Sequence, residues 1–311
     1  DPELQRAAVE ALAGRFGGIA VLRPRNGEVL ALAGVAYSAP QPPGSVFKIV
    51  TLAAALEAGI ASPSSRYPVE TAAVLEGVEL ENANGEACGG SLREAFAHSC
   101  NSVFAPLGAE LGAGRLVAAA ERFGFNRDPV LAGAARSTLP AAAEVGDDLA
   151  VGSTAIGQGK VLATPLLMAG VAAAIAEGGV WADPTLRPGA QPRRRRVTPP
   201  RVARTIRRFM RAVVSSGTGV AAAIPGVAVA GKTGTAELRD TTNDDPVPAK
   251  PGEPPPPPDI TDTDAWFTAF APARRPRVAV AVMLVGQGAG GDTAAPAARV
   301  VLEAALRRRP R

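Results

Sequence analysis

Histidine occurs once in this chain of 311 residues, at His98. That scarcity excludes a multi-histidine zinc site, and a Ser-His-Asp triad would have to use His98 itself. No G-x-S-x-G elbow accompanies it, so His98 reads as a neighbour of the chemistry rather than a participant. Cysteine occurs twice, at Cys88 and Cys100, and the spacing fits neither a C-x-x-C redox motif nor a zinc clamp. Two readings stay open for the pair. One is a disulfide in an oxidising compartment, worth about 3 kcal/mol at most for a loop of this size; the other is two buried free thiols. Aromatic residues make up only 4% of the chain, and none interrupts the arginine runs at 193–196 and 307–309. Those runs therefore read as solvated tails or loops, and nucleic acid is not expected as a partner. No apolar run is long enough to span a bilayer, while 47% apolar content argues against disorder. Position 1 is aspartate, with no basic n-region or cleavage site. The chain reads as an excised soluble piece, in which a missing anchor says nothing about a full-length protein.

Lysine is nearly as scarce: Lys48, Lys160, Lys232 and Lys250 are the only four, every other base being arginine. Where positive charge alone suffices this sequence uses arginine. A retained lysine therefore suggests an amine that must lose or share a proton. Lys48 closes the stretch Pro42-Pro43-Gly44-Ser45-Val46-Phe47-Lys48, around which the chain is organised. Pro42, Pro43 and Gly44 mark a turn, and Ser45 to Leu56 is a run of helix formers ended by Gly59. Apolar residues occupy nearly every side, which predicts a helix buried all round. Ser45 and Lys48, three apart, share one face of its first turn. Among Val46, Phe47 and Ile49 the ammonium would be desolvated and its pKa lowered from about 10.4 toward ~7–8, making a base able to take the serine proton.

Two further polar clusters complete the constellation. Ser99-Cys100-Asn101, on a helical segment, offers a second hydroxyl to relay a proton and an amide to hold a substrate carbonyl. Lys232-Thr233-Gly234-Thr235 lies in a strand pattern, where Gly234 removes a side chain as if another backbone approached, which suits a substrate along a strand edge. Lys232 and the threonine hydroxyls would meet an anionic group, and the backbone N–H groups of Ser45 and Thr235 would form an oxyanion hole. Gly226 to Thr233 also matches the P-loop pattern G-x-x-x-x-G-K-T. The alternating V-A-V-A lies between its glycines and no helix follows the lysine, so the nucleotide reading fails.

Coarse periodicity gives a first helix over 1–14 and a hairpin of Ile19–Leu22 and Val29–Ala33 turning at Asn26-Gly27. Helices are expected over 92–111 with a break near Pro106, over 115–123, from Thr164-Pro165 to Glu177, and over 202–214. Strands return at 227–238, 265–271 and 277–285, and a helix over 292–308 closes the chain. Early strands must pair with late ones around the inserted helical middle. The fold expected is α+β: an antiparallel sheet flanked by the N- and C-terminal helices, with an inserted all-helical subdomain and a cleft where they meet. Residues 1–44 and 216–311 would form the sheet subdomain and 45–215 the helical one. A proline-rich flexible insertion is expected over 241–262.

S-x-x-K, S-x-N and K-T-G, each once and in this order, resemble penicillin-binding proteins and class A β-lactamases. Together with PPGSVFK, FAHSCNSVFA, AIGQGKVLATPLLMA, GTGVAAAIPGVAVAGKTGTAE and AWFTAFAP, the chain resembles the transpeptidase domain of high-molecular-weight penicillin-binding proteins, of monofunctional class B-like, actinobacterial type. The resemblance covers nearly the whole chain. It implies that Ser45 is acylated, that Lys48 is its base, and that Ser99 passes the proton to the leaving D-alanine. It also implies that Asn101 positions the substrate amide, and that Lys232, Thr233 and Thr235 hold the terminal carboxylate. It implies peptidoglycan stem peptides and β-lactams as ligands, no metal or cofactor, and an extracytoplasmic place on a membrane anchor outside this piece, among other cell-wall synthesis proteins. D,D-carboxypeptidase, serine β-lactamase and β-lactam sensor remain the alternatives. The E-x-x-L-N segment of class A lactamases has no match between Asn101 and Lys232.

Overall fold

The computed structural model describes residues 1–237 and 262–307. Asp1 caps the first helix, Pro2–Leu12, by accepting from the backbone N–H groups of Glu3 and Leu4, and proline takes the first turn. The helix leads into strands Gly17–Arg23 and Glu28–Gly34, the expected hairpin, which add to three late strands in one antiparallel sheet. The sheet order is Glu28–Gly34, Gly17–Arg23, Val278–Leu284, Thr263–Ala271, Ala230–Glu237. Early strands thus pair with late ones, and among the described residues the strand bearing Lys232 lies at the edge of the sheet.

Alternation of side chains divides the core in two. Ile19, Val21, Phe267, Val280 and Val282 pack against the N-terminal helix and the closing helix Ala294–Arg307. Leu22, Trp266, Phe270 and Met283 face the opposite layer, where helices Lys48–Ala58, Pro165–Ala176 and Pro200–Ser216 gather. Thr164 caps the middle one through Leu167 N, and Thr268 Oγ1 reaches from the sheet to its Met168 carbonyl at 2.9 Å.

The inserted stretch is helical in the main but not all-helical. Between residues 66 and 91 it carries two two-stranded ribbons, Arg66–Glu70 with Cys88–Ser91 and Ala72–Leu75 with Val78–Glu81. These short, mostly exposed strands bury too little apolar surface to show a clean alternation, so the sequence carries no strand signal for them. A third ribbon pairs Val180–Ala182 with Arg194–Arg196, so most of that arginine run is a strand where a tail or loop was expected, while Arg193, Arg194 and Arg196 are exposed as expected. The expected break near Pro106 is absent: Pro106 lies inside helix Asn101–Leu111, and the break falls earlier, after helix Leu92–Ala97. The proline-rich stretch expected over 241–262 lies, but for Asp262, outside the described residues. Among the described residues no single helix is long and apolar enough to cross a membrane.

Candidate active site

The Pro42-Pro43-Gly44 turn delivers a short 3-10 helix, Gly44–Phe47, and the α-helix begins only at Lys48. Ser45 is half-exposed, while Lys48 and the helix behind it as far as Ala55 are buried. The turn is pressed against its neighbours. A Cβ on Gly44, whose φ is +52°, would stand 2.4 Å from the Thr235 carbonyl oxygen, and one on Gly234 would stand 2.7 Å from that of Pro43. The backbone that approaches Gly234 is therefore the serine turn itself, where the sequence suggested a substrate. Gly290 closes in from the other side, where a Cβ would meet the carbonyl oxygens of Gly234 and Trp266 at 2.2 Å each.

Lys48 Nζ donates to the Ser99 carbonyl oxygen and to Asn101 Oδ1, both at 2.6 Å, and stands 3.4 Å from Ser99 Oγ. A neutral amine has two hydrogens and one lone pair, so two carbonyl acceptors use both hydrogens and leave the lone pair to receive a proton. Burial, and then the positive charge of Lys232, hold the Lys48 pKa well below its ordinary value. Among the described residues no hydrogen bond joins Lys48 Nζ to Ser45 Oγ; in unliganded sites such contacts are commonly long and tighten with substrate.

Lys232 Nζ arrives from the edge strand and donates to Ser99 Oγ at 2.8 Å and to the Thr233 carbonyl oxygen at 3.1 Å. Burial brings its pKa down to about 7. Ser99 Oγ thus lies between two amines. It gets there because Ser99 adopts φ +65°, a left-handed conformation costly for serine, at the turn between helices Leu92–Ala97 and Asn101–Leu111. Ser99 is not on a helix, as its pattern had suggested. A disulfide from Cys100 to Cys88, with Cα atoms 5.4 Å apart, ties this turn to the Cys88–Ser91 strand. Asn101 Nδ2 donates to the Glu81 carbonyl oxygen at 2.6 Å, fixing the amide so that its oxygen faces Lys48.

The structure brings Lys48, Ser99, Asn101 and Lys232 into one hydrogen-bonded group and presses the Ser45 turn against the Lys232 strand. It does not bond the threonine hydroxyls into that group. Thr233 Oγ1 pairs with Thr218 Oγ1 at 2.5 Å, and Thr235 Oγ1 accepts from Gly290 N at 3.3 Å. Ser45 N, in the first turn of its helix, has no intrahelical acceptor. His98 is exposed, beside the site. Thr218 is the residue that sequence reasoning missed: its N–H and hydroxyl both reach the Ala97 carbonyl oxygen, at 3.1 and 3.3 Å, bridging the Ser99 element to the Lys232 strand. Its signal was a threonine between two glycines directly after a helix.

A half-exposed serine at a helix start, a buried lysine one turn behind it, a bridging hydroxyl and an edge strand make up an arrangement suited to serine acyl transfer. Residues 17–303 match the penicillin binding protein transpeptidase domain family. The chain belongs to that family. Peptidoglycan D,D-transpeptidase PbpA of Mycobacterium tuberculosis is 39% identical, over 88% of this chain and 57% of the relative. PbpA of Mycolicibacterium smegmatis is 38% identical, over 88% and 56%. Among solved structures, penicillin-binding protein A from M. tuberculosis in its ceftriaxone acyl-enzyme complex superposes with a TM-score of 0.84 at 33% identity, covering 98% of this chain and 78% of that one. The D,D-transpeptidase domain of a peptidoglycan glycosyltransferase from Eggerthella lenta gives 0.86 at 31% identity, covering 99% and 81%. The chain spans about 57% of the length of the PbpA relatives.

Proposed function

We propose that this chain is the catalytic domain of a peptidoglycan D,D-transpeptidase and that β-lactams acylate it at Ser45. Ser45 Oγ attacks the carbonyl carbon of the penultimate D-alanine while its proton passes to neutral Lys48. The tetrahedral oxyanion is held by the N–H groups of Ser45 and Thr235. On collapse the C–N bond breaks, and the proton travels from Lys48 through Ser99 to the departing amine of D-alanine. An acceptor amine then attacks the ester, giving the cross-linked peptide and returning the proton to Ser45. Lys232, Thr233 and Thr235 bind the terminal carboxylate or that of the antibiotic, Asn101 holds the substrate amide, and the stem peptide lies along the edge of the Lys232 strand.

The observation that carries this reading is the path Lys48–Ser99–Lys232, in which one hydroxyl joins the two buried amines. The ceftriaxone acyl-enzyme of penicillin-binding protein A supports the acylation step by similarity. The relatives' work on peptidoglycan supports an extracytoplasmic place, held at the membrane by a segment outside this chain and alongside other cell-wall proteins. The test is intact-mass spectrometry with benzylpenicillin, followed by product analysis with a stem-peptide donor and an amine acceptor. A stable adduct absent from Ser45→Ala, and a cross-linked product, are expected. Release of D-alanine with no cross-link would assign a carboxypeptidase, fast turnover of penicillin a lactamase, and an adduct without either product a sensor.

A further inference from the structure

Away from the motif residues, a cavity of about 400 Å³ opens between the loop after helix Ala113–Arg122, the start of helix Pro165–Ala176 and the Val180–Ala182/Arg194–Arg196 ribbon. That volume is in the range of small-molecule sites. Three guanidinium groups line it, those of Arg127, Arg193 and Arg195. Two carboxylates, Asp128 and Asp183, line it as well, and the charge of Asp183 acts on Arg195 from close by. Asp183 accepts from the Trp181 indole N–H at 3.0 Å, and Asp128 lies 3.8 Å from Arg136. Among the described residues no ion pair joins Arg127, Arg193 or Arg195 to a carboxylate.

Their hydrogen-bonding capacity is also largely unspent. Arg127 uses Nε on the Glu121 carbonyl oxygen, and Arg195 uses one N–H on that of Arg122, out of five N–H groups on each side chain. Arg195 lies over the Trp181 ring at 4.9 Å from its centroid, so a held guanidinium and a buried indole form one wall. Ser137, almost fully buried, accepts from Thr164 N at 3.0 Å, which leaves its own O–H to donate. Burial first, then the neighbouring Arg127, bring the Arg195 pKa down to about 10 while Asp183 opposes the fall, and the guanidinium stays charged at neutral pH.

Three guanidinium groups in no ion pair among the described residues, with most of their N–H donors unspent, beside an aromatic wall outweigh the two carboxylates and select negative charge on a compact body. We infer that this cavity binds a small anion, a carboxylate or a phosphate ester, carried on a flat or apolar group. The site shares no residue with the acyl-transfer machinery, so its occupation does not depend on that reading.

The test is isothermal titration of the whole chain at low salt with benzoate and with phenyl phosphate, before and after acylation by benzylpenicillin. Arg193 and Arg127 are exposed, so Arg193→Ala and Arg127→Ala should fold and acylate as the parent does. Saturable binding of at least one probe, unchanged by acylation and weakened about tenfold or more in each variant, is expected, since loss of one charge-assisted contact is worth about that factor. The tighter probe then identifies the source as carboxylate or phosphate. Absence of saturable binding, binding unaltered in both variants, or binding abolished by acylation would each overturn the inference.

Discussion

Lys232 Nζ donates to Ser99 Oγ at 2.8 Å, joining the edge strand to the turn between helices Leu92–Ala97 and Asn101–Leu111. Since Lys48 Nζ stands 3.4 Å from the same oxygen, one hydroxyl connects the two amines. Ser99→Ala should leave the fold intact, because Lys48 keeps its bonds to the Ser99 main chain and Asn101. It should slow acylation by benzylpenicillin about 10²-fold or more, the scale of a lost proton-transfer group. Stopped-flow acylation decides the point, and a rate within twofold of the parent would remove Ser99 from the relay.

Two buried lysines, whose pKa values different causes lower, give the pH profile its shape. Lys48 must be neutral to accept a proton, and both burial and Lys232 push it down; Lys232 must be charged to hold a carboxylate, and burial alone lowers it to about 7. The acylation rate should rise with pH as Lys48 deprotonates and fall again as Lys232 does, with an alkaline limb near 7 in the free protein. The limbs belong to the coupled pair. Lys232→Arg keeps the charge at all accessible pH values, so the alkaline limb should vanish even if the rate falls. Retention of that limb would assign it to another group.

Folding stability should vary with pH in two separate windows. Lys232 titrates near 7 in the folded chain and near 10.4 unfolded. Between those values the unfolded chain binds the extra proton, so stability rises with pH by up to ~1.4 kcal/mol per pH unit from this group. Asp264, buried and paired in register with Ala236 of the neighbouring strand, behaves in the opposite sense. Burial raises its pKa to about 6 despite a bond from Gly286 N. From about 4 to 6 the folded chain holds the extra proton, and stability from this group is lost as pH rises. Denaturant titrations of Lys232→Met and Asp264→Asn, each compared with the parent across pH 4–10, should remove the alkaline gain and the acid-side loss respectively.

What the sequence made legible was chemistry with a local signature. The proline-glycine turn before Ser45, the apolar helix after Lys48, the hairpin at Asn26-Gly27 and the Thr164-Pro165 helix start all follow from residues a few positions apart. What it hid was set at a distance. Ser99 accepts a left-handed backbone because Lys48, Lys232 and the Cys88–Cys100 bond hold it there, and no neighbour in sequence signals this. Pro106 invited a break that the packed helix around it does not take. Thr218 matters only because folding sets it between Ala97 and Thr233. Gly234 was legible as a point of close approach, but not the identity of what approaches.

That approach yields a sharp test. Gly234→Ala would place a methyl group 2.7 Å from the Pro43 carbonyl oxygen, and Gly44→Ala one 2.4 Å from that of Thr235, at a φ of +52° that alanine disfavours. Both variants should move the Ser45 turn away from the Lys232 strand. Acylation should fall about 10²-fold in each, since a displacement near 1 Å costs about that much. Gly44→Ala should also lose more than about 1 kcal/mol of stability, strain and clash adding together. Gly59→Ala, at a helix end with nothing within 4 Å of its Cβ, carries strain without the clash and serves as control: destabilised, but acylating at the parental rate.

The Cys88–Cys100 bond closes a loop of sequence separation 12 that begins in the Cys88–Ser91 strand and ends between Ser99 and Asn101. It therefore acts on stability and on site geometry together, and the two effects can be separated. Cross-linking a loop this short contributes about 3 kcal/mol at most, so Cys88→Ala/Cys100→Ala should lower the unfolding free energy by an amount no larger than that, read from denaturant titrations. Ser102 Oγ bonded to the Cys88 carbonyl oxygen and Asn82 Oδ1 accepting from Ser102 N still link the ribbons to the helix, so the variant should fold. What it loses is the tether on Ser99, whose left-handed backbone then rests on Lys48, Lys232 and the turn's own bonds from Ser99 N to the Phe96 carbonyl oxygen and from Cys100 N to that of Ala95. Acylation should slow more than stability at the assay temperature accounts for, and reductant should slow the parent but not the variant. Equal acylation rates in parent and variant, both well below their melting temperatures, would show that the two lysines and the turn's own bonds hold Ser99 without the disulfide.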